Sequence, residues 1–169
     1  MATLADANYG AGGTWNRDGT IIFAPGLSDG LRSVSAAGGP LRPATALNAD
    51  RGETTHRWPV FLPDGRRFLY AVGQAKSGRW TIRVGSLDSD RADDVIEGGG
   101  SNALYANGAL IFARSGTLLA QPVDERSLRA SGNPVQLAEN VLHDLVVASP
   151  GATSTPLTLV VDRPSELNR

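Results

Sequence analysis

The sequence predicts an all-β fold of repeated four-stranded units, and three observations predict it. First, a phrase recurs. Gly13-Thr14-Trp15-Asn16-Arg17-Asp18-Gly19-Thr20-Ile21-Ile22-Phe23 returns as Phe61-Leu62-Pro63-Asp64-Gly65-Arg66-Arg67-Phe68-Leu69-Tyr70 and, worn, as Tyr105-Ala106-Asn107-Gly108-Ala109-Leu110-Ile111-Phe112. Second, the turn glycines Gly19, Gly65 and Gly108 lie 46 and then 43 residues apart. Third, stretches such as Leu31-Arg32-Ser33-Val34-Ser35 and Trp80-Thr81-Ile82-Arg83-Val84 alternate apolar and polar residues, and nothing has helical spacing. A period of roughly 40–45 residues with four short strands per unit is the signature of β-propeller blades.

Residues 1–12 read as a lead-in strand or the remnant of a preceding blade. Blade 1, residues 13–47, offers strands at Gly13 to Asn16, Thr20 to Ala24, Leu31 to Ser35 and Leu41 to Thr45. Blade 2, residues 48–99, offers Trp58 to Leu62, Arg67 to Val72, Trp80 to Leu87 and Asp94 to Glu97. Blade 3, residues 100–141, offers Asn102 to Tyr105, Ala109 to Ala113, Thr117 to Val123 and Val135 to Ala138. The Asp-Gly and Asn-Gly pairs fall between apolar runs, where a tight hairpin needs positive φ. Residues 142–169 read as an incomplete or divergent fourth blade, with Leu145 to Ala148 and Leu157 to Val161 as its strands. Three units and a fragment do not close a ring, which takes 4–8 blades. The expectation is therefore a piece of a longer propeller, or an arc that self-associates through open edges.

Composition narrows the partners. Sixteen Lys and Arg balance 17 Asp and Glu, so no net field draws nucleic acid or anionic lipid. Cysteine is absent, which removes disulfides and thiolate metal sites. The segment Met1-Ala2-Thr3-Leu4-Ala5-Asp6 has neither the basic nor the apolar region of a signal peptide. Even the apolar run Leu157 to Val161, with Thr158 inside it, falls far short of the ~20 residues that span a bilayer. No compartment follows from the composition alone.

The phrases go beyond general propeller grammar. Gly12 to Pro25, Arg57 to Tyr70, Val84-Gly85-Ser86-Leu87-Asp88, Gly116 to Pro122 and Gly132-Asn133-Pro134-Val135 together resemble the TolB-like, WD-like propeller repeats attached to bacterial serine/threonine protein kinases. The likeness covers about Leu4 to Val141. It implies a kinase domain first, usually a membrane span next, and then the propeller outside the cytoplasm. Neither kinase nor span lies in this sequence, and the tail from Leu142 departs from the pattern. The expected function is a non-catalytic binding or sensor module without cofactor, its partner a protein, peptide or small ligand. The alternatives are a propeller lid from a peptidase and a standalone self-associating arc.

Each catalytic constellation in the sequence has a plainer reading. Phosphoryl transfer needs a glycine-rich loop, a strand lysine and metal-binding carboxylates. Gly10-Ala11-Gly12-Gly13 is the one loop of that kind, and the sole lysine, Lys76, sits in a hairpin loop, so a glycine turn is the better reading. Gly99-Gly100-Ser101-Asn102-Ala103 lacks the last glycine of a nucleophile elbow and precedes a strand. His56 and His143 are far apart in the chain. Asp88, Asp90, Asp93 and Asp94 invite a calcium reading but lack the mid-loop glycine, and solvated turn carboxylates explain them. Zinc is excluded by the lack of Cys and of paired His. No catalytic or metal residue is therefore assigned.

The repeat positions Trp15, Asp18, Gly19, Phe61, Asp64, Gly65, Tyr105, Asn107 and Gly108 read as structural, with the three aromatics packed between neighbouring blades. His56, Arg57 and Trp58 precede an inner strand and are the candidate ligand-binding residues.

Overall fold

The turn phrases do in three dimensions what their residues dictate. In a computed structural model of the chain, which describes residues 3–74, 77–99 and 102–141, Gly65 takes φ +68 and its N–H closes a turn on the Leu62 carbonyl. Asp64 caps that turn, its Oδ1 accepting the N–H groups of Arg66 and Arg67 at 2.8 Å each. Asn16 to Gly19 makes the same turn, with Gly19 at φ +80 and its N–H on the Asn16 carbonyl, but here the capping acceptor is Asn16 Oδ1 in place of the aspartate. At Asn107-Gly108 both residues have positive φ, as a two-residue hairpin requires.

Twelve strands result among the described residues. Sheet 1 holds β1 (Gly13–Trp15), β2 (Thr20–Phe23), β3 (Arg32–Ser35) and β4 (Arg42–Pro43). Sheet 2 holds β5 (Glu53–Phe61), β6 (Arg67–Gln74), β7 (Trp80–Ser86) and β8 (Ser89–Glu97). Sheet 3 holds β9 (Ala103–Ala106), β10 (Ala109–Arg114), β11 (Thr117–Pro122) and β12 (Val135–Glu139). Each sheet is an antiparallel meander in chain order, and the three sheets do not close into a ring. Among the described residues one 3-10 turn, Ala49–Arg51, is the sole helical element. The fourth blade expected at 142–169 lies outside the described residues.

Two strands begin five residues earlier than the sequence reading has them. β5 starts at Glu53 rather than Trp58, and Pro59 is accommodated by a register shift between Arg57 and Val60. β8 starts at Ser89 rather than Asp94, and its exposed polar run is the sheet's outer edge, where charge discourages pairing with another chain.

Strand alternation builds the core. Along β6, Phe68, Tyr70 and Val72 turn toward sheet 1 and cluster with Ala11, Ile22, Ala24 and Leu31. The intervening Leu69 and Ala71 turn toward sheet 3 and cluster with Leu110, Phe112, Val123 and Leu128. The middle sheet is thus apolar on both faces, and each fully buried large side chain contributes about 1.5–3 kcal/mol. On the other face of sheet 3, Leu104, Ile111 and Leu118 form a third cluster. Polar ties reinforce the stacking: Arg67 donates to the Arg126 and Glu125 carbonyls at 2.6 and 3.1 Å, and Arg114 to those of Glu97 and Gly98 at 2.6 and 3.1 Å.

The repeat aromatics share one orientation. Phe61 packs in the cluster between sheets 1 and 2, and Tyr105 in the cluster between sheets 2 and 3. Each therefore leans on the preceding sheet. Trp15 departs from the expectation that it too is covered: it is 57% exposed. It pairs with Ile21, while Ile22 carries the face packed on sheet 2. Trp15 thus points the way its counterparts do, away from the sheet that follows, and no sheet covers it among the described residues.

Candidate binding site on the first strand of the second sheet

β5 carries His56, Arg57 and Trp58, and alternation sends the neighbours to different places. His56 pairs with Val72 and faces sheet 1, where its ring is fully buried 5.0 Å from that of Tyr70. Its Nε2 lies 3.2 Å from Glu53 Oε2 and its Nδ1 2.7 Å from Thr45 Oγ1. Thr45 Oγ1 also accepts the Leu31 N–H at 2.8 Å. The consistent arrangement is a neutral ring that donates from Nε2 to the carboxylate and accepts the Thr45 hydroxyl proton at Nδ1.

The network continues outward. Glu53 Oε2 also accepts the Asn48 N–H, and Oε1 lies 2.9 Å from Arg83 Nη1 without the alignment of a hydrogen bond. Arg83 Nε pairs with Asp94 at 2.6 Å, and Arg51 pairs with the same carboxylate. Burial pushes the Glu53 carboxyl up, but the Asn48 N–H, Arg83 and His56 together hold it below its ordinary value. Burial lowers His56, opposed by Glu53 and aided by Arg83. Burial pushes the Tyr70 hydroxyl up to about 12. A cleft of about 320 Å³ opens beside this network, bordered by Thr45, Asn48, Arg51, Tyr70, Arg83 and Ser89. Two cations against two carboxylates leave the network neutral. His56 is a strut between sheets, and its ring offers nothing to an outside ligand.

Arg57 and Trp58 stay at the surface, both half-buried. Register places Thr55, Arg57, Ala71, Gly73 and Trp80 on the other face of sheet 2. Gly73 has no side chain to block the Trp80 indole, because a Cβ there would lie 3.1 Å from the ring and 2.7 Å from Thr55 Cγ2. Trp80 therefore reaches across β6 to Trp58, ring centroids 5.1 Å apart. The Arg57 guanidinium carbon stands 6.0 Å from the Trp58 ring and 5.5 Å from the Trp80 ring. Its Nε donates to Thr55 Oγ1 at 2.9 Å and its Nη2 to the Leu27 carbonyl at 3.1 Å.

The backbone beneath is strained. Trp58 has φ +49, a left-handed conformation that costs a bulky residue about 1–3 kcal/mol. It is held there by its N–H bond to the Ala11 carbonyl at 2.9 Å and by Gly12, whose absent Cβ would lie 2.8 Å from the Trp58 Cα. Gly12, one of the glycines weighed as a phosphate loop, is thus the seat for Trp58. Sequence reading missed Trp80, Thr55 and Leu27 as partners of Arg57. The one signal was Gly73, a glycine inside a strand, which marks a close approach.

Three aspartates of the acidic run are ion-paired: Asp88 with Arg66, Asp93 with Arg91 at 3.4 Å, and Asp94 with Arg83 and Arg51. Among the described residues no group of three or more acidic or imidazole side chains is arranged to hold a metal ion. Lys76, Ser101 and His143 lie outside the described residues. Compared with known families, curated proteins and solved structures, the chain matches none.

Proposed function

We propose that the chain is a non-catalytic binding module of β-propeller type, with Arg57, Trp58 and Trp80 as its recognition point. One observation carries this reading: Arg57 is a half-buried cation with no carboxylate partner among the described residues, held by neutral acceptors over two indoles. Such a group is built in advance, so little rotamer freedom is lost when a ligand arrives. The repeat period, the three four-stranded meanders and the shared lean of the aromatics support the propeller reading. By the resemblance of its phrases, the module belongs with the extracytoplasmic propellers of bacterial serine/threonine kinases, reading a protein, peptide or small ligand. The exposure of Trp15 also favours association through the open face of sheet 1.

The test uses the variant Trp15→Phe, which leaves Trp58 and Trp80 as the only tryptophans. A panel of N-acetylated amino acids and short peptides is titrated while tryptophan emission and product formation are followed. Saturable emission changes without turnover, abolished by Trp58→Ala, are expected. No response up to about 10 mM, where a contact of roughly 3 kcal/mol still registers, sinks the reading.

A further inference from the structure

Resting on that reading, we infer that Arg57 takes a carboxylate attached to an apolar or aromatic group. A guanidinium has five N–H donors. Thr55 and Leu27 use two, which leaves three without a partner among the described residues. Other arginines of sheet 2 are committed differently: Arg66, Arg67, Arg83 and Arg91 each have a carboxylate. Arg79, in the loop before β7, also has no carboxylate among the described residues but is exposed. Arg57 is half-buried and meets only neutral oxygens, so its charge is open to an incoming anion.

Geometry selects the anion. The guanidinium is a planar fork matched to the two oxygens of a carboxylate, and its orientation is fixed by two hydrogen bonds and two rings. The half-buried indoles of Trp58 and Trp80 stand beside the guanidinium and offer apolar surface to the hydrophobic part of a carboxylate ligand, which shields the ion pair from water. A peptide C-terminus and an acidic side chain beside an apolar residue present the same chemistry.

Titration of the Trp15→Phe protein separates the possibilities. The probes are N-acetylphenylalanine, its uncharged amide, N-acetyl-aspartyl-phenylalaninamide and inorganic phosphate. Binding of one or both carboxylates at least ~10-fold tighter than the amide is expected, weakening as salt rises. Which of the two carboxylates binds tighter identifies terminal or side-chain recognition. Arg57→Gln, checked for folding by near-ultraviolet circular dichroism, is expected to erase the preference. Arg57→Lys keeps the charge but not the fork and is expected to lose most of it.

Equal binding of acid and amide overturns the carboxylate while leaving the binding module standing. So does phosphate competing as well as the acids, or Arg57→Lys retaining full preference. Silence from every probe overturns both.

Discussion

Asn16 donates from its buried Nδ2 to the carbonyl of Gly65 at 2.8 Å, tying the hairpin turn of sheet 1 to the equivalent turn of sheet 2, 49 residues away. Its Oδ1 meanwhile accepts the N–H groups of Asp18 and Thr20 at 3.1 and 2.8 Å. One amide therefore shapes its own turn and anchors the next. Asn16→Ala strands buried backbone groups and is expected to cost about 2–3 kcal/mol, read as a lower urea midpoint at unchanged m-value. Asn16→Asp keeps the acceptor but sets a carboxylate against the Gly65 carbonyl, and is expected to destabilise comparably. A neutral result for Asn16→Asp shows that the bridge between turns carries no weight.

Phe68 and Trp15 should respond very differently to truncation. Phe68 is fully buried between sheets 1 and 2 and meets Phe61 edge-on at 6.1 Å. Phe68→Ala is expected to cost about 3–5 kcal/mol. Trp15→Ala, at an exposed position, is expected to cost less than about 1 kcal/mol in the monomer. Equal losses in chemical denaturation place Trp15 inside a core and contradict the open face.

What the sequence disclosed and what it withheld divide along this line. The turn phrases, the period and the alternation placed nearly every strand, because hairpin geometry and strand burial are local properties of residues such as Asp64, Gly65 and Ile82. The early start of β5 was hidden because Glu53 is a polar residue held by a distant partner, Arg83, and that of β8 because Ser89 to Asp93 is an exposed polar run without apolar alternation. The binding cluster was half visible. Arg57 and Trp58 are adjacent in the chain, but Trp80 joins them only through strand register across Gly73. His56 looked like their companion and faces the opposite way, as neighbours on a strand do.

Stability should fall with acid in two stages. His56 is held below its ordinary value of 6.5, chiefly by burial. As pH drops below about 6.5 the unfolded chain takes up this proton and the fold resists it, so stability declines by up to ~1.4 kcal/mol per pH unit until the folded ring is protonated. Glu53, Asp64 and Asp94 are also lowered: burial pushes each up, but hydrogen bonds and arginine neighbours outweigh it. Their stabilisation is complete above their ordinary carboxylate values and is lost as pH falls through the lower folded ones. Urea midpoints against pH should therefore show an upper limb that vanishes in His56→Gln and a lower limb that persists. An upper limb unchanged by His56→Gln refutes the assignment.

Gly12→Ala tests the seat beneath Trp58. Gly12 has φ +94, and the added carbon meets the Trp58 backbone at 2.8 Å. Backbone cannot yield as a flexible side chain does, so a loss of about 2–3 kcal/mol is expected. In the Trp15→Phe background the emission of the Trp58–Trp80 pair should shift as the rings separate. A stable variant with unaltered emission shows that Gly12 does not position Trp58.

The lean of the repeat aromatics gives the stack of sheets a direction, like boards milled with a tongue on one edge and a groove on the other. Phe61 is a tongue set into the bed of Ile22 and Leu31, and Tyr105 one set into the bed of Leu62, Leu69 and Ile82. Trp15 is the same tongue, left proud. A sheet arriving with its own aromatic foremost would put ring against ring and leave the aliphatic bed unused. The open face of sheet 1 is therefore directional: any sheet that packed there would have to come groove first.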